Sequence, residues 1–339
     1  MTHVSERAVL IEGFLARAGW AGVTRHRLAA DASFRRYERL IDPSRRAVLM
    51  DAPPPQEDVR PFLVVARILH GLELSAPRIL AEDAAAGLLL LEDFGDLTYT
   101  RLLAEGADEM PLYALAVDTL VALHRRFDPA VAGALPPYDE TRLLAEVALL
   151  VDWYLPAMTG QPTPAALRED YIATWRALLP LAQASPPTLV LRDYHVDNLM
   201  RLPGREGVAA CGLLDFQDAL LGSPAYDLIS LLEDARRDVA DPLVAAMTER
   251  YLAAFPELDR ERFATAAAVL AVQRSCKIVG IFTRLCVRDR KPHYLVHIPR
   301  LWRLIERGVT HSSLAPVKAW LDCHVPHSLR RIPHCEAAS

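Results

Sequence analysis

The sequence predicts an α+β protein of two lobes: a mixed amino lobe with an antiparallel sheet, about residues 1–93, and a mainly helical carboxy lobe, about residues 94–339. Three observations carry that expectation. At 339 residues the chain exceeds the roughly 100–200 residues of an ordinary domain. Strand-like runs cluster before Asp93, and from residue 97 the pattern turns almost wholly helical. A strand-rich island, 188–215, then interrupts the helices and ends in polar residues.

An amphipathic helix opens the chain, with Val4, Ala8, Ile11, Phe14 and Leu15 at helical spacing ahead of Trp20 and Gly22. Thr24 to Leu28 and Phe34 to Ile41 flank the polar turn Asp31-Ala32-Ser33, and Arg46 to Asp51 supplies a third strand of a meander. Pro53-Pro54-Pro55 ends it, because proline cannot donate to a ladder. Val59 to Leu72 reads as a helix and Leu88 to Leu91 as a buried strand. Helical pattern fills 97–183, broken at Pro136-Pro137 and Pro162 to Pro164. In the island, Thr188 to Leu191 leads into Arg192 to Asn198, a hairpin turns at Pro203 to Gly207, and Gly212 to Asp215 follows. Helices resume beyond Ser223-Pro224 and continue to about Ile305.

Composition narrows the function. With 52% hydrophobic and 24% charged residues the chain reads as globular, and no apolar run reaches the ~18 residues of a membrane helix. The segment MTHVSERAVLIEGFLARAGW lacks a signal-peptide pattern, so a cytoplasmic location is expected. Five cysteines, an odd number without a CxxC pair, suggest reduced thiols. A formal charge of −5 and no dense Lys/Arg tract argue against nucleic acid. The expected protein is a monomer acting on a small molecule, without a membrane or nucleic-acid partner.

The chemistry is concentrated in the island. Asp193 and Asn198 are five positions apart after an apolar strand, and Asp215 ends the next hairpin. Phosphoryl transfer needs a carboxylate to orient and deprotonate the attacking hydroxyl and oxygen ligands for magnesium. Asp-x4-Asn followed by Asp215-Phe216 supplies both. The alternative is that Asp193 and Asn198 merely cap a turn.

These residues resemble the aminoglycoside phosphotransferase and choline kinase superfamily, which has a two-lobed, protein-kinase-like fold. The family loop His-Gly-Asp-x-His-x-x-Asn stands here as Leu191-Arg192-Asp193-Tyr194-His195-Val196-Asp197-Asn198. The resemblance implies Asp193 as catalytic base, His195 near the transferring phosphate, Asn198 and Asp215 as Mg2+ ligands, and ATP as donor. Asp227 matches a buried aspartate that braces the catalytic loop; a helix N-cap is the alternative. Glu92 and Asp93 would offer backbone groups to adenine.

The segments DASFRRY (31–37), MDAPPPQE (50–57), RPF (60–62), LDFQDA (214–219) and VGIFTRLCVRDRKPHYL (279–295) are similar to one subfamily, the anomeric kinases of bacterial cell-wall recycling. That resemblance covers about residues 25–303. It implies ATP-dependent phosphorylation of the C1 hydroxyl of N-acetylmuramate and N-acetylglucosamine, giving sugar 1-phosphates for peptidoglycan recycling. The alternatives are another small-molecule kinase, acting on an aminoglycoside, choline or homoserine, or a nucleotide-binding regulator without turnover.

Departures from the kinase pattern are specific. Met50 stands where kinases carry a phosphate-holding lysine, and Val59 to Leu72 contains no glutamate to pair with one. Arg35 or Arg36 could reach the phosphates instead, and Ser33 with backbone N–H groups could contact them from a turn without glycine.

For the sugar, Ala271 to Arg288 reads as one helix on which Arg274, Lys277, Arg284 and Arg288 fall within an arc of about 80°. A solvated basic face is one reading. With the resemblance, Arg274 and Lys277 become contacts for the lactyl carboxylate of N-acetylmuramate. Gln217 and Asp218 could meet sugar hydroxyls or could simply make a turn, and Asp289 and Tyr294 could close the pocket. Trp153 and Tyr154 are either a sugar platform or core. In the tail, Cys323-His324, His327 and His334-Cys335 are zinc-binding residue types at no familiar spacing, and a loosely ordered tail is expected.

Overall fold

The computed structural model describes residues 2–28, 34–129, 133, 135–183 and 186–334, with side chains from Glu6 onward. Helix α1 (Thr2–Arg17) precedes strands β1 (Thr24–Arg27), β2 (Arg36–Asp42), β3 (Arg45–Asp51), β4 (Ile79–Asp83) and β5 (Leu88–Glu92), with α2 (Arg60–Gly71) between β3 and β4. The sheet order is β1-β2-β3-β5-β4, with every neighbouring pair antiparallel. Side-chain alternation decides its faces. Leu40, Ala47, Leu49, Leu88 and Leu90 pack in one cluster with Ile11, Phe14, Leu15 and Trp20 of α1 and its exit. The opposite face carries Tyr37, Met50 and Leu89, aligned in register across β2, β3 and β5.

Helices α3 (Tyr99–Ala104), α4 (Glu109–Arg126), α5 (Glu140–Val147), α6 (Leu155–Thr159) and α7 (Ala165–Leu178) follow, with a π-helical turn at Leu150–Tyr154. The island then forms two small ladders. Strand β6 (Thr188–Val190) pairs with β9 (Leu220–Gly222), while β7 (Leu199–Arg201) pairs with β8 (Cys211–Leu213). Helices α8 (Ala225–Leu232), α9 (Asp241–Ala253), α10 (Arg260–Val287), α11 (Ile298–Gly308) and α12 (Ala315–His324) complete the chain. By packing, the chain forms two compact units: Met1–Arg126 with Val196–Ala219, and Phe127–His195 with Leu220–Ser339. The strand-to-helix change itself falls after Glu92.

In the second unit α10 is the central element. It starts at Arg260, earlier than expected, because Asp259 caps it by accepting from the N–H groups of Glu261 and Arg262. Residues 269–280 are buried without interruption, so no face of that stretch is solvated. Alone among the described helices it is long and apolar enough to cross a membrane, and 78% of its apolar window is buried inside the protein. At Gly280 a Cβ would lie 2.3 Å from the carbonyl carbon of Leu149, so glycine permits that close approach.

Two expectations, a loose tail and reduced thiols, are corrected, and the alternatives for Tyr154 are decided. The tail is not loose as far as residue 334: Tyr154 donates to the carbonyls of Leu329 and Arg331, and Arg330 binds Glu306 and Asp322. Tyr154 is thus core, its hydroxyl also accepting from Trp302, rather than a sugar platform. Cys286 is disulfide-bonded, whereas Cys211, Cys276 and Cys323 are free, so the thiols are not all reduced. In the tail, His324 stacks on Trp320 and His327 meets Glu306, and among the described residues no three His, Cys, Asp or Glu side chains gather as a metal site.

The turn after β6 depends on Asp227 in the first turn of α8. Its carboxylate accepts from the N–H of Leu191 at 2.6 Å and of Arg192 at 2.9 Å, and Ser230 Oγ donates to the Arg192 carbonyl. These bonds hold Arg192 at φ +70°, a left-handed conformation costly for a long side chain. Burial pushes the Asp227 carboxyl up to about 7, opposed by the two N–H donors. Asp227→Asn places an amide NH2 against a buried N–H donor. It should lower stability by about 1–3 kcal/mol in denaturant unfolding, and should reduce kcat more than it raises the nucleotide KM. An unaltered unfolding midpoint with normal kcat would remove Asp227 from the loop's support.

Candidate active site

Asp193 follows Arg192 on this turn, and its own N–H donates to the Leu191 carbonyl at 2.9 Å. Burial acts to raise its pKa, but the positive fields of Lys277, Arg192 and Arg274 outweigh it and hold the carboxyl below the usual range. Asp193 is therefore an ionised, half-buried acceptor at neutral pH. His195 is buried, and the Arg236 guanidinium approaches its Nε2 at 3.5 Å. An arginine can only donate, so the ring accepts there and is neutral, in line with burial depressing its pKa.

The cations nearby are balanced by a residue with no marking pattern in the sequence. Glu146 on α5 pairs with Arg192 Nη2 at 2.5 Å and with Lys277 Nζ at 2.9 Å, and it accepts from the Tyr138 hydroxyl. Burial works against the charge on Glu146, yet Lys277 and Arg192 hold its pKa below the ordinary value. For Lys277 burial lowers the pKa, and Tyr226 and Glu146 reverse that direction, so the ammonium stays charged. Lys277 also reaches the Tyr226 hydroxyl at 3.3 Å. Arg274 is buried one helical turn earlier and forms no ion pair among the described residues. Arg284 is partly buried and Arg288 exposed, so the basic stripe of α10 is buried only at its amino-terminal half.

In the first unit, the β7–β8 ladder brings together the other island residues. The Leu214 N–H donates to the Asn198 carbonyl at 3.0 Å, which sets Asp215 beside Asn198. Asp215 has φ +54°, and its Oδ1 accepts from Gln217 Nε2 at 2.9 Å. Arg35 Nη2 lies 3.5 Å from the same oxygen and Arg35 Nε 3.7 Å from Glu57. Phe216 stacks on Phe62 of α2 with centroids 4.8 Å apart, fixing the segment between Asp215 and Gln217.

The remaining nominated residues are placed elsewhere. Ser33 lies outside the described residues. Arg36 is exposed, opposite Asp51 in the ladder, and Asp218 is exposed. Glu92 pairs with Arg205 and Arg78, and Asp93 with Arg39, so both side chains are engaged in ion pairs within the first unit. Asp289 pairs with its neighbour Arg288. Tyr294 stacks on Phe282, with centroids 5.3 Å apart. No sequence pattern marks Glu146 or Tyr138, whereas Glu57 lies within MDAPPPQE and Tyr226 directly precedes Asp227.

As a donor set, Asn198 and Asp215 offer hard oxygen ligands, one of them charged. This fits magnesium, which binds few protein oxygens and keeps several waters.

Comparison with known proteins identifies the family. The profile of the phosphotransferase enzyme family matches residues 24–264. N-acetylmuramate/N-acetylglucosamine kinase of Caulobacter vibrioides is 40% identical over 364 residues, covering 98% of this chain and all of that protein. The protein of the same name from Pseudomonas aeruginosa is 42% identical over 305 residues, 86% of each chain. Among solved structures, choline kinase LicA from Streptococcus pneumoniae superposes with a TM-score of 0.61 at 12% identity, covering 91% of this chain and 100% of that one. ADP-bound aminoglycoside phosphotransferase APH(2'')-Ib gives 0.57 at 16% identity, covering 88% and 96%. The fold is therefore protein-kinase-like, and the chain belongs to the phosphotransferase enzyme family.

Proposed function

We propose that the protein transfers the γ-phosphoryl group of ATP to the C1 hydroxyl of N-acetylmuramate and N-acetylglucosamine, producing sugar 1-phosphates for cytoplasmic recycling of cell-wall sugars. Residues 1–93 would act as the nucleotide-covering lobe and 94–339 as the lobe that carries the catalytic loop. The observation that carries this reading is Asp193 kept ionised among buried cations, in a chain whose full-length relatives are named as kinases of these two sugars. Asp193 accepts the proton as the C1 oxygen attacks phosphorus. Asn198 and Asp215 hold magnesium, which when bound neutralises charge on the β- and γ-phosphates. Gln217 fixes the Asp215 carboxylate, Arg35 meets phosphate oxygens, and neutral His195 can donate a hydrogen bond to the transferring group without adding charge. Glu92 and Asp93 offer backbone groups to adenine, and Arg36 contributes from its strand.

For the acceptor, Arg274 is the group best suited to the lactyl carboxylate, because it is buried, charged and free of an ion pair among the described residues. Lys277 is held by Glu146 and supports the loop through the shared Arg192 contact. Asp218, Asp289 and Tyr294 serve hydroxyls or close the pocket. A buried cationic cluster does not suit a cationic acceptor such as choline or an aminoglycoside.

A panel of these sugars, choline, homoserine and an aminoglycoside, assayed for ATP-dependent ADP release with NMR of the product, tests the reading. Release is expected only with the two N-acetyl sugars, with phosphorus coupled to the anomeric carbon. A 6-phosphate, or turnover of choline, would refute it. Arg274→Ala should lower kcat/KM for N-acetylmuramate about ten- to a hundredfold relative to N-acetylglucosamine, the size of one charge-assisted hydrogen bond. Lys277→Ala should instead lower both in parallel, because it leaves buried Glu146 with only one of its two cations, Arg192. Equal losses on both sugars for Arg274→Ala would deny it the carboxylate.

A further inference from the structure

Three of the segments that mark the subfamily meet on one side chain. Arg35 belongs to DASFRRY, Glu57 to MDAPPPQE and Asp215 to LDFQDA. Arg35 directly precedes β2, and its odd position aligns it with Tyr37 on the sheet face that carries Met50. Its side chain is 14% exposed and lies 3.7 Å from Glu57 and 3.5 Å from Asp215. Glu57 also accepts from the N–H of Phe34 at 3.1 Å, so it fixes the backbone as well as facing the charge. Both carboxylates stand at ion-pair distance, yet Nε and Nη1 of the guanidinium are buried without a hydrogen-bond partner. A buried guanidinium with unfilled donors suits an oxyanion that can come closer than these carboxylates do.

We propose that Arg35 and Glu57 replace the lysine and glutamate pair that other kinases place on strand three and the following helix, and that Arg35 exchanges Asp215 for nucleotide phosphate oxygens when metal and nucleotide bind together. This rests on reading the chain as a nucleotide-dependent kinase. The need for such a pair is set by Met50 and by α2, which contains no glutamate. In the free protein Arg35 supplies the positive charge beside Asp215. A divalent cation arriving alone meets that charge and is opposed. With a nucleotide present, the guanidinium has phosphate oxygens to turn to, and metal and nucleotide favour each other. Arg35 thereby makes metal binding conditional on nucleotide.

The test separates the two ligands, using Mn2+ alone followed by electron paramagnetic resonance, and ADP without metal followed by calorimetry. Arg35→Met should bind Mn2+ alone about ten- to a hundredfold more tightly, since a like charge a few ångströms away is gone, and should bind metal-free ADP at least tenfold more weakly. Arg35→Lys should keep the opposition to Mn2+ while recovering only part of the ADP affinity, because it keeps the charge without the fork. Glu57→Gln, in which Arg35 still faces Asp215, should weaken ADP and leave Mn2+ weak. If Arg35→Met does not fold, Glu57→Gln decides. Unchanged ADP affinity in a folded Arg35→Met or Glu57→Gln protein, or weaker Mn2+ binding in Arg35→Met, overturns the proposal. If the parent protein phosphorylates neither sugar while these shifts appear, the substrate reading fails and the Arg35 exchange stands; the reverse pattern leaves the substrate reading and removes the exchange.

Discussion

The hydrogen bonds from the Leu191 and Arg192 N–H groups to the Asp227 carboxylate are the constraint on which the rest of the site depends. They hold a left-handed residue immediately before Asp193, where the family loop has glycine and this chain has arginine. A glycine would adopt φ +70° without cost. An arginine needs compensation, and it finds it in the Asp227 carboxylate on its N–H, the Ser230 hydroxyl on its carbonyl and the Glu146 carboxylate on its guanidinium. The departure from the family pattern has thus been turned into an additional anchor for the loop.

That anchor creates a charge problem whose solution shapes the second unit. Arg192, Lys277 and Arg274 keep Asp193 ionised despite burial. Buried cations are themselves unfavourable unless paired. Glu146 pairs two of the three, and Tyr138 and Tyr226 satisfy what remains around Glu146 and Lys277. This polar group sits on α10, buried along its middle, and α5. A centrally placed, largely apolar helix can thus carry Gln273, Arg274, Ser275 and Lys277 in succession. Arg274 is left as the buried cation without an ion pair among the described residues.

The sequence was most legible where chemistry imposes fixed spacing. Asp193, Asn198 and Asp215 stood out because polar residues at fixed spacing follow the ends of short apolar strands, and the ladders β6–β9 and β7–β8 place them at strand ends. The antiparallel meander was equally plain, since alternation and Pro53–Pro55 mark its edges. Partner residues drawn from distant helices were not legible. Glu146 looks like any solvated glutamate on an amphipathic helix, and only folding brings it to Lys277 and Arg192. The basic stripe at Arg274 and Lys277 invited a solvated reading for the same reason: helical spacing shows which residues share a face, but not what covers that face. The disulfide at Cys286 and the ordered tail also depend on long-range packing that no local pattern encodes.

The proposed reaction requires Asp193 to be an ionised base held in place by this loop. Single-turnover phosphoryl transfer by Asp193→Asn at saturating ATP and N-acetylglucosamine tests it most directly, because the amide fills the same space but cannot take a proton. The expected rate is lower by about two to four orders of magnitude, with ATP affinity unchanged. Transfer within a few-fold of the parent rate would contradict it.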